Sequence, residues 1–211
     1  QNIWTAKASL ITSELQGATS FSIGTKGYIV TGTDGSGNGS VKLWEYEQAT
    51  DTWTSKSNFP GATRTGAVAF SIGTKGYVGT GESVAGVGGL NDFWEWDQVT
   101  DTWTQLTNFA GTARKYAAAF AVDGKGYIGT GWDISMTLKS DFWEYNPLTN
   151  SWTAIASIPT TPRYAGAGFS IGTKGYFCSG HDGYGGSPFP NDLYEFNPAT
   201  NTWTAKASLP S

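Results

Sequence analysis

Short apolar runs recur along the chain between glycine-bearing turns, and each reads as a β-strand. The first kind is small and apolar: GATSFSI, GAVAFSI, YAAAFAV and AGAGFSI. A tight turn, GTKG or DGKG, joins it to a second run: GYIVTG, GYVGTG, GYIGTG or GYFCSG. After a variable glycine-rich loop comes an aromatic run: KLWEY, DFWEW, DFWEY or DLYEF. A turn such as NPLTN or DQVTD then leads to a TWT or SWT element. Pro147 and Pro198 sit in these turns, where a fixed φ helps and no ladder donor is lost. We call the four predicted strands A, B, C and D.

The aromatic run decides how the sheets are packed. Side chains alternate across a strand, so Trp94 and Trp96 face one way while Phe93 and Glu95 face the other. Both faces are largely apolar, whereas a surface antiparallel sheet would be polar on one side. Each sheet therefore needs a neighbour on both faces. Small residues in strand A suit a crowded inner edge, and the rings fill the wider space further out.

The unit repeats. Trp4, Trp53, Trp103, Trp152 and Trp203 each precede a threonine, at spacings of 49, 50, 49 and 51 residues. Lys-Gly-Tyr occurs at Lys26, Lys75, Lys125 and Lys174, and Glu45, Glu95, Glu144 and Glu195 share a third register. The pattern predicts one all-β domain over 1–211, with an extra outer strand at 1–10 and repeats at 11–58, 59–108, 109–157 and 158–211. Four-stranded antiparallel sheets stacked radially around an axis make a β-propeller.

Composition narrows the function classes. Glycine is abundant, at 29 of 211 residues, and charged residues are scarce, at 14%; this suits many tight turns and not a helical bundle. A net charge of -4 argues against nucleic acid as a partner. No apolar run approaches the length of a membrane span. A single cysteine, Cys178, permits no internal disulfide, and a start at Gln1 is what a processed secreted protein or an excised fragment would show.

The Lys-Gly-Tyr…Gly-Thr-Gly pair, the DFWEY strand, the turn and the TWT element together resemble kelch repeats, most of all the bacterial kind found in secreted proteins of Bacteroidetes-like organisms. The resemblance covers essentially the whole chain. It implies a kelch-type propeller that acts as a non-catalytic interaction module or scaffold, secreted or on the cell surface. Its partner would be a protein or a glycan, bound through blade loops or an open blade edge. A carbohydrate-active hydrolase or oxidase on the same fold is the alternative. One departure is that Thr-Gly or Ser-Gly ends strand B where the family usually has Gly-Gly. Copper oxidases of this architecture need several histidines and a Tyr–Cys crosslink, which a lone His181 and Cys178 cannot supply. No cofactor or metal is expected.

Four A–B–C sets and five D elements do not close neatly. If Trp4's strand completes the last blade, Trp203's strand is left over; otherwise Trp4's strand is unpaired. An open or incomplete ring is expected, either as part of a longer protein or completed by a protein partner or by self-association, with a compact four-bladed ring as the alternative.

Two groups are candidate binding residues. Arg64, Arg114 and Arg163 share one register, where the first repeat has Leu15. Pairing with a strand C glutamate is the structural reading, and a cationic rim for an anionic ligand is the functional one. In the variable B–C loops, Trp132, Tyr184 and Phe189 could stack on sugar rings while Asp133, His181 and Asp182 bond hydroxyls. Their alternative is folding back onto their own loops. Asp34 and Asp182 lack the alternating spacing of a calcium loop and read as turn formers.

Overall fold

The computed structural model describes residues 3–10, 15–86, 88–183 and 189–210. Each repeat folds into one four-stranded antiparallel sheet in the order A-B-C-D. Blade 1 is Thr19–Ile23, Lys26–Val30, Leu43–Glu47 and Thr52–Lys56. Blade 2 is Val68–Ile72, Lys75–Gly79, Phe93–Asp97 and Thr102–Gln105. Blade 3 is Ala118–Val122, Lys125–Gly129, Phe142–Asn146 and Ser151–Ile155. Blade 4 is Ala167–Ile171, Lys174–Cys178, Leu193–Asn197 and Thr202–Lys206. No helix occurs among the described residues. The four A strands line the axis of this β-propeller, and small residues such as Ser20, Ala69, Ala119 and Gly168 let them approach.

The alternation expected for strand C holds. Trp96 packs against Phe21 and Tyr28 of blade 1, while Phe93 packs against Tyr145 and Trp152 of blade 3. Each core therefore lies between blades. One joins blades 1 and 2, a second joins 2 and 3, and a third joins 3 and 4.

The interface is built the same way three times. Phe21, Phe70 and Phe120 on the A strands rest on Gly76, Gly126 and Gly175 of the next blade, where an added Cβ would lie 2.3, 2.1 and 2.1 Å from the ring. This explains the glycine of Lys-Gly-Tyr, since any side chain there would displace the neighbour's phenylalanine. Nearer the axis, the N–H groups of Gly66, Tyr116 and Ala165 donate to the carbonyls of Gly17, Gly66 and Tyr116, at 3.0, 2.8 and 2.8 Å. At the rim, the D-strand tryptophan grips the linker from the preceding blade: Trp103, Trp152 and Trp203 donate to the carbonyls of Ser57, Thr107 and Ala156.

Among the described residues, none of these contacts joins blade 4 to blade 1. Phe169, the fourth member of the phenylalanine series, is 38% exposed, against 3% for Phe120. Gly27 has only its own blade's Tyr46 within 4 Å of an added Cβ. No core cluster spans the two blades. The four blades form an arc with two unmated faces, as expected from the strand count. Trp203's strand stays in its own blade. Residues 3–10 pair with no sheet, so over these residues the outer strand expected at 1–10 does not form, and Trp4 is 96% exposed. The anchor of this segment is Ala8, whose carbonyl accepts from Trp53 and whose N–H donates to Asp51.

Candidate functional site

The B–C loops emerge from one end of the arc, and their bases are held by a repeated device. Thr31, Thr80, Thr130 and Ser179 end strand B with φ of 64°, 58°, 58° and 59°. Positive φ is costly for a β-branched residue, which is why glycine is usual at this place. The arginines hold the strained turns in the last three blades. Nη1 of Arg64, Arg114 and Arg163 donates to the carbonyls of Thr80, Thr130 and Ser179, at 2.9, 2.9 and 3.3 Å.

The arginine partners are aspartates, which corrects the expected pairing with strand C glutamates. Arg64, Arg114 and Arg163 each engage both oxygens of Asp92, Asp141 and Asp192, at 2.6–3.1 Å. The guanidinium groups are buried and lie over the rings of Phe59, Phe109 and Phe177, so they form no cationic rim. The forked geometry suits arginine alone among cations. Asp92 and Asp141 pay desolvation, the largest influence on their carboxyls, but the arginine hydrogen bonds and charge together outweigh it and hold them below the usual range. The strand C glutamates have other partners. Glu45, Glu95 and Glu144 accept from Tyr28, Tyr77 and Tyr127 at 2.8–2.9 Å and bind the lysine of Lys-Gly-Tyr. Burial first, and the glutamate second, push these tyrosine hydroxyls far above their ordinary range.

Blade 1 lacks both halves of the arginine–aspartate pair, with Leu15 and Lys42 in their registers. The loss is visible two residues on, at the strand C tryptophan. Trp94 and Trp143 donate their indole N–H to Asp92 and Asp141, whereas the buried Nε1 of Trp44 finds no acceptor among the described residues.

Above this frame, rings gather on the loop face of blades 3 and 4. Trp132 stacks on Tyr164 with centroids 4.8 Å apart; Tyr164 meets His181 at 5.3 Å, and His181 meets Phe189 at 5.2 Å. Tyr116 lies 6.1 Å from Tyr164 and adopts φ of 53° where blades 1 and 2 have Gly17 and Gly66. Lys115 extends over Trp132 and pairs with Glu82 of blade 2. Two short ribbons brace these positions, Arg64–Thr65 with Glu82–Ser83 and Arg114–Lys115 with Trp132–Asp133. Ile134 and Met136 stand exposed beside the row, as does Phe189 at 71%.

Of the residues expected in the loops, Trp132, His181 and Phe189 share this row. Asp133 turns inward: its Oδ1 accepts from the N–H groups of Ser135 and Thr137, and its Oδ2 pairs with Lys139. Asp34 makes the same closed turn with Ser36 and Asn38, in line with its reading as a turn former. His181 Nδ1 accepts from Gly183 N–H, and Asp182 is half-buried beside it. Tyr184 lies outside the described residues. Sequence reasoning passed over Tyr116 and Tyr164. Tyr164 directly follows Arg163 and Tyr116 stands two residues after Arg114; the signal was a tyrosine in registers that hold Gln16, Thr65 and Lys115, and Gly17 and Gly66, in the earlier repeats. Among the described residues, no three His, Cys, Asp or Glu side chains are gathered to hold a metal.

No curated protein matches the chain. A solved structure titled "Structure of YjhT" superposes with a TM-score of 0.79 at 19% identity, over 93% of this chain and 66% of that one. The chain thus spans about two-thirds of the matched protein, and the likeness concerns the fold. The family model for the KLHDC2/KLHL20/DRC7 Kelch-repeats domain matches residues 17–209. With four blades of this design matched almost end to end, the chain belongs to the Kelch-repeat family of β-propellers.

Proposed function

We propose that this chain is a non-catalytic interaction module that holds a protein partner on the loop face of blades 3 and 4, in an extracellular setting. Kelch propellers serve in general as protein-interaction scaffolds. One observation carries the assignment to this face: exposed Ile134, Met136 and Phe189 border a row of rings fixed on a clamped frame. Aromatic residues and methionine are enriched in protein interfaces, and rigid anchors lose little entropy on binding.

The test is affinity capture with the purified chain and with an Ile134→Glu/Met136→Glu variant, beside a glycan array. Both side chains are exposed, so the variant keeps the fold. A protein held at least tenfold more weakly by the variant, about 1.4 kcal/mol, supports the reading. Capture that is indifferent to the variant contradicts it. Glycan binding lost on Tyr164→Ala would transfer the site to carbohydrate. Sugar hydrolysis or oxidation by the purified chain would replace the module with an enzyme.

A further inference from the structure

The two free ends of the arc are the two halves of one interface. Within the chain, each blade meets the next through a phenylalanine on a glycine, an axial backbone bond and a rim tryptophan on a linker carbonyl. Blade 4 presents the first half of every one of these contacts, and blade 1 presents the second half.

Phe169 is the ring without a seat and Gly27 is the seat without a ring. The Ala165 carbonyl stands in the register of Gly17, Gly66 and Tyr116 as acceptors, and the Gly17 N–H is the donor that would meet it. Ser71 Oγ donates to the Ser22 carbonyl across blades 1 and 2, and Ser22 and Ser170 hold those same two registers at the free ends. Gln98 donates to the Tyr28 hydroxyl across that interface, and Gln48 and Tyr176 hold its registers. A cleft of about 560 Å³ opens on blade 4 beside Gly180. In the other blades the matching glycines, Gly32, Gly81 and Gly131, donate to the carbonyls of Arg64, Arg114 and Arg163 of the following blade. Leu15 is the residue of that register on blade 1. On blade 1, a second cleft of about 370 Å³ surrounds Gly27 and Tyr46.

The terminal segments supply a further match. Residues 4–10 and 203–209 are the same seven residues, WTAKASL. Trp53 is held by the Ala8 carbonyl, and Asp51 by the Ala8 N–H. Ala207 is the corresponding residue of the second segment and would meet both groups in the same register.

We infer that a second copy of the chain occupies the open end: Phe169 of one copy seats on Gly27 of the next, and residues 203–209 of the first take the place of residues 4–10 of the second. Such a joint is head-to-tail, so each copy offers two different surfaces. Two copies related by a two-fold axis make two identical joints and bring eight blades together, within the range that propellers adopt. At each joint two identical segments compete for one position. Residues 3–10 therefore act as an internal competitor that weakens the joint in the intact chain.

Light scattering and sedimentation over a concentration series test this with the purified chain and two blocked variants. Gly27→Trp fills the empty seat, where only Tyr46 lies within 4 Å of an added Cβ. Phe169→Glu removes the half-exposed ring. The chain is expected to move from 22.4 kDa toward twice that mass as concentration rises. Each variant alone is expected to stay monomeric, because each lacks one half of the joint. Mixing the two leaves one intact joint and is expected to restore a species of twice the mass. Removal of residues 1–10 is expected to lower the midpoint of association several-fold. A chain that stays monomeric to several hundred micromolar overturns the inference, as does a variant that still dimerises alone. A mixture that stays monomeric does so too, provided circular dichroism shows both variants folded.

Discussion

Phe120 of blade 3 rests on Gly175 of blade 4, where an added Cβ would fall 2.1 Å from the ring. The glycine is a seat for its neighbour's side chain. The same residue type in blade 1, Gly27, carries no neighbour. Gly175→Val should therefore cost about 1–3 kcal/mol, the usual range for overpacking a filled core. Gly27→Val should leave stability nearly unchanged. Urea unfolding followed by tryptophan fluorescence separates the two, with both measured below the concentration at which copies associate.

A second size rule operates inside each blade. The residues that end strand B and begin strand C face one another as Val30 with Leu43, Gly79 with Phe93, Gly129 with Phe142, and Cys178 with Leu193. Glycine accompanies phenylalanine, and a larger residue accompanies leucine. At Gly79 an added Cβ would lie 2.6 Å from the Phe93 ring. Gly79→Val is expected to destabilise by about 1–3 kcal/mol, and Phe93→Leu in the same chain to recover part of that loss. The double-mutant cycle should give a favourable coupling, and additive effects would contradict the pairing.

The positive-φ threonines offer a gain in stability. Thr80 combines that backbone with a buried hydroxyl that has no partner among the described residues, whereas the Thr130 hydroxyl accepts from Ala118 N–H at 3.3 Å. Glycine relieves the first strain at either place. Only at Thr80 does it also remove an unsatisfied group. Thr80→Gly is expected to stabilise by about 1 kcal/mol, and Thr130→Gly by less. Thermal unfolding of the two variants side by side checks the order.

Acid should loosen the loop bases in a defined window. The carboxyls of Asp92 and Asp141 are held down on balance by Arg64 and Arg114, against the opposing pull of burial. A folded value below the unfolded one means that the unfolded chain binds protons first as pH falls. Their contribution to stability is thus complete above the unfolded carboxylate range, about pH 4. It is lost as pH falls through the lower folded values. Arg114→Leu should cost about 1–3 kcal/mol at neutral pH, because it leaves a carboxylate that solvent screens only in part without its partner. It should also flatten the acid side of the stability profile. A variant as acid-sensitive as the parent would contradict this role for the pair.

Much of the frame could be read from the chain because its physics repeats. Four registers of Lys-Gly-Tyr and of the strand C glutamate give the strands, and two apolar faces on one strand demand neighbours on both sides. The arginine partner was less legible. Glutamate stands inside the aromatic strand and attracts attention, yet Asp92 at its edge is the group that a guanidinium clamping the Thr80 carbonyl can reach. Trp132, His181 and Phe189 stood out in the variable loops. Tyr164, which joins Trp132 to His181, did not, because its place depends on how blade 4 docks on blade 3. The strand excess announced an arc, and only the geometry names Phe169 and Gly27 as its unmated pair.

The central claim is that the described residues of blades 1 and 4 share no packed interface within one chain. With Cys178 replaced by alanine, spin labels on the exposed A–B turns give the distances directly. Thr25 and Thr74 mark the packed blades 1 and 2, and Thr25 and Thr173 mark blades 1 and 4. Labelled chain diluted into excess unlabelled chain keeps the measurement intramolecular. An open arc requires the Thr25–Thr173 distance to exceed the Thr25–Thr74 distance clearly. Equal distances would mean a closed four-bladed ring, and would contradict both the free faces and the joint proposed between them.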